Sequence, residues 1–96
     1  MTLDELRRSK SDEILRIAAT YGASHVRVFG SLARGGNSSS SDVDVLVGLD
    51  PNRSLMDLGG LLMDLRDVLH LPVDVATEDM LRPKLRERAL LDAVPL

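Results

Sequence analysis

Hydrophobic positions along the chain switch between helical and strand spacing, and the pattern predicts a mixed order of helices and strands. Residues 2–21 are predicted to form an amphipathic helix that begins with capping-box spacing between Thr2 and Glu5. The serines at positions 9 and 11 leave open a break in this helix. Strand-like alternation of apolar and polar residues follows at His25–Phe29, Asp42–Val47 and Pro72–Ala76.

Two further helices complete the predicted fold. Leucines that recur in steps of three and four predict a helix over 54–70, and Pro83 suits the first position of a last helix over 83–92. Gly59 and Gly60 interrupt the first of these helices at a cost of roughly 1 kcal/mol each relative to alanine, which indicates a close approach by another group. The order predicts an α/β (α+β) fold in which a small mixed sheet of three or four strands is flanked by helices.

Length and composition restrict the chain to one small domain. A chain of 96 residues can form a single core, so residues 1–96 are predicted to be one domain. The absence of cysteine excludes a disulfide framework and a thiol nucleophile, and it suits a reducing compartment. No apolar segment approaches the roughly 18 residues of a membrane span, and the N-terminus lacks an apolar signal region. We therefore expect a cytoplasmic protein without membrane contact.

Charge and aromatic content argue against nucleic acid as a direct partner. The formal net charge is −3, from 12 basic and 15 acidic residues, so the chain offers no general attraction to a phosphate backbone. Its two aromatic residues, Tyr21 and Phe29, are expected to pack in the core, which leaves no stacking surface for bases. Aliphatic side chains and backbone would then hold the base of any bound nucleotide.

Aspartates on two predicted strands are the candidate metal-binding residues. Asp42 and Asp44 lie on one face of a strand with α-carbons about 7 Å apart, so both carboxylates can reach a shared metal pair. Asp74 lies between two valines, where an ionised carboxylate needs a cation or hydrogen-bond donors. Solvated acids on an exposed face, and an edge strand that faces water, are the alternatives. If the third strand pairs with the second, the three carboxylates share a face, and a two-metal site accounts for all of them.

A Gly-Ser pair after the first strand is the candidate phosphate site. Gly30 and Ser31 precede residues that can form one helical turn, so backbone N–H groups and the serine hydroxyl would face an incoming phosphate. Ordinary turn chemistry is the alternative for this dipeptide.

Together these motifs resemble the nucleotidyltransferase superfamily of DNA polymerase beta, kanamycin nucleotidyltransferase and poly(A) polymerases. The shared pattern is Gly30-Ser31, ten intervening residues, Asp42-Val43-Asp44 and a later strand aspartate, Asp74. The Gly-Ser-Leu-Ala-Arg-Gly run at 30–35 and a serine directly before Asp42 add specificity. Because the chain ends where the catalytic core of that family ends, it most resembles the minimal nucleotidyltransferases. These are antitoxins encoded beside helical HEPN-domain RNase toxins, and the resemblance covers residues 3–94.

The resemblance implies a nucleotidyltransferase fold, ATP as substrate, two Mg²⁺ ions, and transfer of AMP to a tyrosine of a partner HEPN toxin, which silences the toxin. By position, Asp42 and Asp44 would hold both metal ions, and Asp74 would hold the catalytic ion near the acceptor oxygen. The nucleotide would contact Gly30, Ser31, Arg34 and Ser41. A solvated loop arginine is the alternative for Arg34.

Two other functions stay open from the sequence. A binding antitoxin would neutralise its partner by occlusion, and a small-molecule nucleotidyltransferase would need an acceptor-binding domain that the chain lacks. Three clustered carboxylates beside Gly30-Ser31 favour the enzyme, because like charges are costly to keep together. The basic residues near the last helix are predicted to form a solvated face, with docking of a partner or a phosphate as the alternative; they are Arg82, Lys84, Arg86 and Arg88.

Overall fold

The computed structural model describes residues 1–35 and 42–96. Its elements in chain order are α1 (Leu3–Thr20), β1 (Ala23–Phe29), α2 (Gly30–Ala33), β2 (Val43–Leu49), α3 (Leu55–Leu69), β3 (Val73–Ala76), a 3-10 turn (Glu78–Met80), α4 (Pro83–Asp92) and β4 (Val94–Pro95). Over these ranges the strands form one sheet in the order β3-β2-β1-β4. The predicted class, a small mixed sheet flanked by helices, is confirmed. Within the same ranges, no helix has the length and apolar character that crossing a bilayer requires.

The sheet is mixed because its strands are connected in two ways. β1 pairs with β2 and with β4 in the antiparallel direction, whereas β2 pairs with β3 in the parallel direction. Parallel neighbours need a long crossover, and α3 supplies it. The register of this pair places Val43 opposite Val73 and Asp44 opposite Asp74. A hydrogen bond of 2.9 Å from the Val43 amide to the Pro72 carbonyl fixes the start of the pairing.

The hydrophobic core lies between one face of the sheet and the helices α1 and α3. Alternate residues of β2 are fully buried in it because successive strand side chains point to opposite faces. The helices contribute their apolar stripes, so that the opposite face of β2 remains available for polar chemistry. The principal core residues are Leu6, Ile14, Ala18, Val28, Val43, Val45, Val47, Leu58, Leu61, Leu65, Leu69 and Val73.

The helix ends follow the predicted caps. Thr2 accepts a hydrogen bond from the Glu5 amide, and Ser54 and Asp57 form a complete capping box at the start of α3. The break left open in α1 does not occur. The hydroxyl of Ser9 donates to the Glu5 carbonyl one turn earlier, so that serine is accommodated within a continuous helix.

The sequence pattern missed strand β4. It has only two residues, Val94 and Pro95, too few for any alternation to be visible. Contacts across the fold define it instead: the Leu96 amide donates to the Val26 carbonyl, and Arg7 of α1 donates to the Pro95 carbonyl at 2.7 Å. The end of the described chain is thereby attached to both β1 and α1.

The two glycines in α3 have different surroundings. A Cβ atom built on Gly60 would collide with the ring of Tyr21, whereas one built on Gly59 meets no atom within 4 Å. Tyr21 is held there by a 2.7 Å hydrogen bond from its hydroxyl to Asp64. The predicted close approach is therefore confirmed at Gly60 and is wrong at Gly59.

The two glycines provide a matched test of this packing. Gly59→Ala should stabilise the fold by about 0.5 to 1 kcal/mol, because alanine has the higher helix propensity and open space surrounds the position. Gly60→Ala should destabilise it by about 1 to 3 kcal/mol, because the Tyr21 ring must move. Urea unfolding of both variants measures the difference, and equal effects at the two positions would contradict the packing described here.

Candidate active site

The centre of the candidate site is a pair of carboxylates on neighbouring strands. Asp44 and Asp74 are register partners, so their side chains leave the same face of the sheet on strands about 4.8 Å apart. Asp44 is half-buried, and Leu46 on the same face of β2 is fully buried, so this part of the face is not freely solvated. Asp74 lies on the edge strand and is exposed. The structure brings these two acids together, as the sequence predicted for adjacent strands.

Asp42 lies at the approach to the site. It directly precedes β2, and its side chain is exposed. Asp42 is close enough to Asp44 to raise the pKa of that carboxyl, but it is not among the residues that line the cavity at the pair. Among residues 1–35 and 42–96, no three acidic or histidine side chains converge on one point as a metal-binding group. The described carboxylates thus form a pair with a third acid nearby.

Like charge and burial act together on Asp44. Burial raises the pKa of the Asp44 carboxyl above its usual range, and the neighbouring carboxylates of Asp74 and Asp42 raise it further. The guanidinium of Arg34 opposes these effects and lowers it. Because the net effect is a raised pKa, the ionised carboxylate of Asp44 is less stable in the fold than in water.

Gly30 is the position where the Gly-Ser pair meets the acids. Its φ of 75° lies in the left-handed region that favours glycine, and a Cβ atom there would collide with Oδ2 of Asp44. Phe29, the preceding residue, is the register partner of Asp44 on β1. The turn into α2 therefore passes directly beside the carboxylate, and only a residue without a side chain fits.

A cavity of about 530 Å³ opens over this arrangement, a size within the range of small-ligand sites. Gly30, Ser31 and Arg34 line it together with Asp44 and Asp74. The remaining wall consists of Phe29, Ala76, Leu81, Leu85, Arg88, Ala89 and Asp92. The cavity thus joins the predicted phosphate residues to the acidic pair. A second cavity of about 480 Å³, between the end of β2, the start of α3 and the 3-10 turn, contains none of the predicted site residues.

Arg34 and Ser41 have different outcomes. Arg34 lines the cavity, and its exposed guanidinium forms an ion pair with Asp92 of α4. Its contact with a nucleotide stays a prediction. Ser41 lies outside the described residues.

Sequence reasoning placed none of the seven further wall residues at the site, and three of them have aromatic or charged side chains. Phe29, expected in the core, instead lines the cavity, because it lies on the face of β1 opposite Val28. Arg88 and Asp92 come from α4, whose cations the pattern assigned to a solvated face, with docking of a partner or a phosphate as the alternative. Placing these two residues required knowing which side of α4 packs over α2. The Pro83 start of α4 predicted the helix but not its orientation.

The family of the chain follows from comparison with known proteins. Residues 11–96 match the model of the nucleotidyltransferase domain, which covers most of the chain. The chain belongs to this nucleotidyltransferase family. The predicted resemblance is therefore confirmed, and the Gly-Ser turn, the acids of β2 and β3, and the cavity lie within the matched region.

Two relatives match nearly the whole chain and have names that state an activity. The chain is 36% identical over 94 residues to a Methanocaldococcus jannaschii protein named as a protein adenylyltransferase, covering 98% of this chain and 97% of that protein. It is 29% identical over 94 residues to the protein adenylyltransferase MntA of Thermococcus cleftensis, covering 98% of this chain and 95% of the relative.

Solved structures share the fold. One described as a minimal nucleotidyltransferase has a TM-score of 0.86 at 42% identity and covers 100% of this chain and 97% of its own. A toxin-antitoxin structure with AMP-PNP has a TM-score of 0.76 at 17% identity, covering 90% of this chain and 71% of its own. At that identity the second likeness concerns the fold alone.

The repulsion around Asp44 predicts a pH-dependent gain in stability on its removal. Because its pKa is raised in the folded state, the stability contributed by Asp44 is lost as pH rises through that pKa. In metal-free buffer, Asp44→Asn should therefore raise the melting temperature by a few degrees near about pH 7, and by less near about pH 4.

The matched control is Asp67→Asn, which makes the same charge change at an exposed position of α3. Thermal unfolding at both pH values measures the two variants. A lower melting temperature for Asp44→Asn at neutral pH, with Asp67→Asn unchanged, would contradict the repulsion.

Proposed function

We propose that this nucleotidyltransferase is an antitoxin that transfers AMP from ATP to a tyrosine of a partner HEPN-domain RNase toxin and thereby silences it. The observation that carries the proposal is the juxtaposition of Asp44 and Asp74 with the Gly30-Ser31 turn in one cavity. A turn that fits phosphate beside paired carboxylates suits the polyphosphate of ATP. Because the toxin acts on cellular RNA, we propose the cytoplasm as the place of reaction.

The acids present suit magnesium. Mg²⁺ prefers oxygen ligands and is usually held by one or two carboxylates together with substrate phosphates, not by a cage of protein groups. The described residues offer that kind of donor set, because Asp44 and Asp74 are paired, and burial together with the neighbouring carboxylates raises the pKa of Asp44. We propose that Asp42, Asp44 and Asp74 hold two ions. When bound, the ions neutralise the triphosphate and lower the pKa of the acceptor hydroxyl.

Other residues of the chain would hold the nucleotide and keep α4 in place over it. The backbone N–H groups at Gly30 and Ser31, with the serine hydroxyl, would hold the triphosphate at the start of α2. Ser41, the serine before the first aspartate of the motif, is proposed as a further nucleotide contact. Arg34, through its ion pair with Asp92, would keep α4 over the cavity.

Transfer would proceed by attack of the acceptor tyrosine oxygen on the α-phosphorus of ATP. A new O–P bond forms, the bond to the bridging oxygen breaks, and pyrophosphate leaves. The tyrosine proton passes to solvent or to a nearby carboxylate. Such a reaction needs positioning and charge neutralisation more than a protein nucleophile, and the described cavity lining contains no cysteine, lysine or histidine.

A protein acceptor fits the size of the domain and the relatives. The described residues form a single core, so an acceptor that brings its own docking surface suits the domain better than a free small molecule. Both relatives with near-complete coverage are named as protein adenylyltransferases, and solved structures of the same fold come from the toxin-antitoxin MntA-HpeT. These names support a protein substrate here.

The proposal predicts a mass increase on the toxin. Incubated with ATP, Mg²⁺ and its partner toxin, the chain should add one or more AMP groups to a toxin tyrosine and suppress its RNase activity. Asp44→Asn should lower the rate of transfer by at least about a hundredfold, because the carboxylate that helps hold the ions is lost. Intact-mass spectrometry and peptide mapping of the toxin measure both results.

The control variant is Asp67→Asn, which should transfer AMP at the wild-type rate. A toxin neutralised without any mass increase, and equally well by an Asp42→Asn, Asp44→Asn double variant, would overturn the enzymatic proposal in favour of occlusion. AMP transfer to a free small molecule in place of the toxin would overturn the protein acceptor.

A further inference from the structure

The last helix, α4, contributes a cation to the cavity that the motifs of the sequence do not include. Arg88 lines the same cavity as Asp44, Asp74, Gly30 and Ser31. Its neighbour Ala89 is buried, which fixes this side of α4 against the fold. Arg88 is therefore carried on a packed helix, and its exposed side chain lies at the cavity.

The other cations near the cavity are already engaged. Arg34 is paired with Asp92, and Arg86 donates to the carbonyls of Glu78 and Leu81. Across residues 1–35 and 42–96, by contrast, the side chain of Arg88 makes no hydrogen bond or ion pair. Among the described lining residues, Arg88 is thus the cation that remains available to an anionic ligand.

The position of Arg88 relative to Asp92 indicates which part of a nucleotide it would meet. The two residues are four apart on α4 and so lie on one side of the helix. Asp92 is paired with Arg34, which directly follows α2. The side of α4 that carries Arg88 is therefore the side that faces α2, the helical turn that begins with Gly30-Ser31. Arg88 and the Gly30-Ser31 turn therefore line the same cavity, where both can reach one anionic ligand.

We propose that Arg88 binds the polyphosphate of the nucleotide in the cavity that the Gly30-Ser31 turn lines. The inference rests on the proposed nucleotide site and adds to it a residue outside the Gly-Ser and aspartate motifs. A planar guanidinium can donate two parallel hydrogen bonds to phosphate oxygens, which a lysine ammonium cannot reproduce. Arg88 is thus a positioning residue for the triphosphate.

The test compares nucleotide affinity among charge-matched variants. Arg88→Gln should weaken binding of a non-hydrolysable ATP analogue with Mg²⁺ by about tenfold or more, because a charge-assisted contact to phosphate is lost. Arg88→Lys should recover part of that loss, since the charge is kept without the fork. The control is Arg16→Gln, which makes the same change at an exposed position of α1 and should bind as wild type. Isothermal titration calorimetry measures the four proteins, and thermal unfolding accompanies each.

Each contrary result has a distinct meaning. If Arg88→Gln binds the analogue as tightly as wild type, the role of Arg88 is overturned while the nucleotide site stands. A loss of binding that comes with a lower melting temperature and is not restored by Arg88→Lys also overturns it, in favour of a structural role. Unchanged nucleotide affinity with a higher KM for the toxin overturns it in favour of an acceptor contact. If wild type itself binds no analogue with Mg²⁺, the proposed function falls, and this inference falls with it.

Discussion

The parallel pairing of β2 with β3 is the constraint on which the rest of the site depends. It places Asp44 beside Asp74, and a shift by one residue would turn either carboxylate toward the helices α1 and α3. The hydrogen bond from Val43 to Pro72 and the α3 crossover maintain this register. Because Gly30 lies against Asp44, the same register also fixes where the Gly-Ser turn meets the acids. One strand pairing thus sets the chemistry of the whole cavity.

The pairing has an energetic consequence. Partial burial of Asp44 makes its charge costly, and repulsion from the neighbouring carboxylates adds to that cost, so the pKa of Asp44 is raised. On the opposite face of the sheet, valines pack against the apolar sides of α1 and α3, and this burial offsets the repulsion. The paired carboxylates destabilise the protein when no cation is bound, but they attract the cations that would accompany a polyphosphate. Stability and function therefore occupy opposite faces of the same strand.

Local sequence predicted the elements and the motif residues but not every contact. Valine alternation and the Ser54 cap predicted β2 and α3 because both signals are local in the chain. The side-by-side arrangement of Asp44 and Asp74 depends on the strand order. The sequence predicted it only on the condition that the third strand pairs with the second. Arg34 and Asp92 are 58 residues apart, and Arg88 is one cation among several on a short helix, so no local pattern could place them. Phe29 was misplaced because its apolar ring was assigned to the core, although strand alternation puts it on the face of β1 opposite Val28.

The central claim is that the paired carboxylates form a cation-dependent nucleotide site, and calorimetry tests it most directly. ATP is titrated into the wild-type chain in Mg²⁺, in excess chelator, and into an Asp44→Asn, Asp74→Asn double variant in Mg²⁺. We expect the wild type to bind ATP in Mg²⁺ but not in excess chelator, because without a cation the acids repel the triphosphate. Equal ATP affinity in Mg²⁺ and in chelator, or undiminished binding by the double variant, would contradict it.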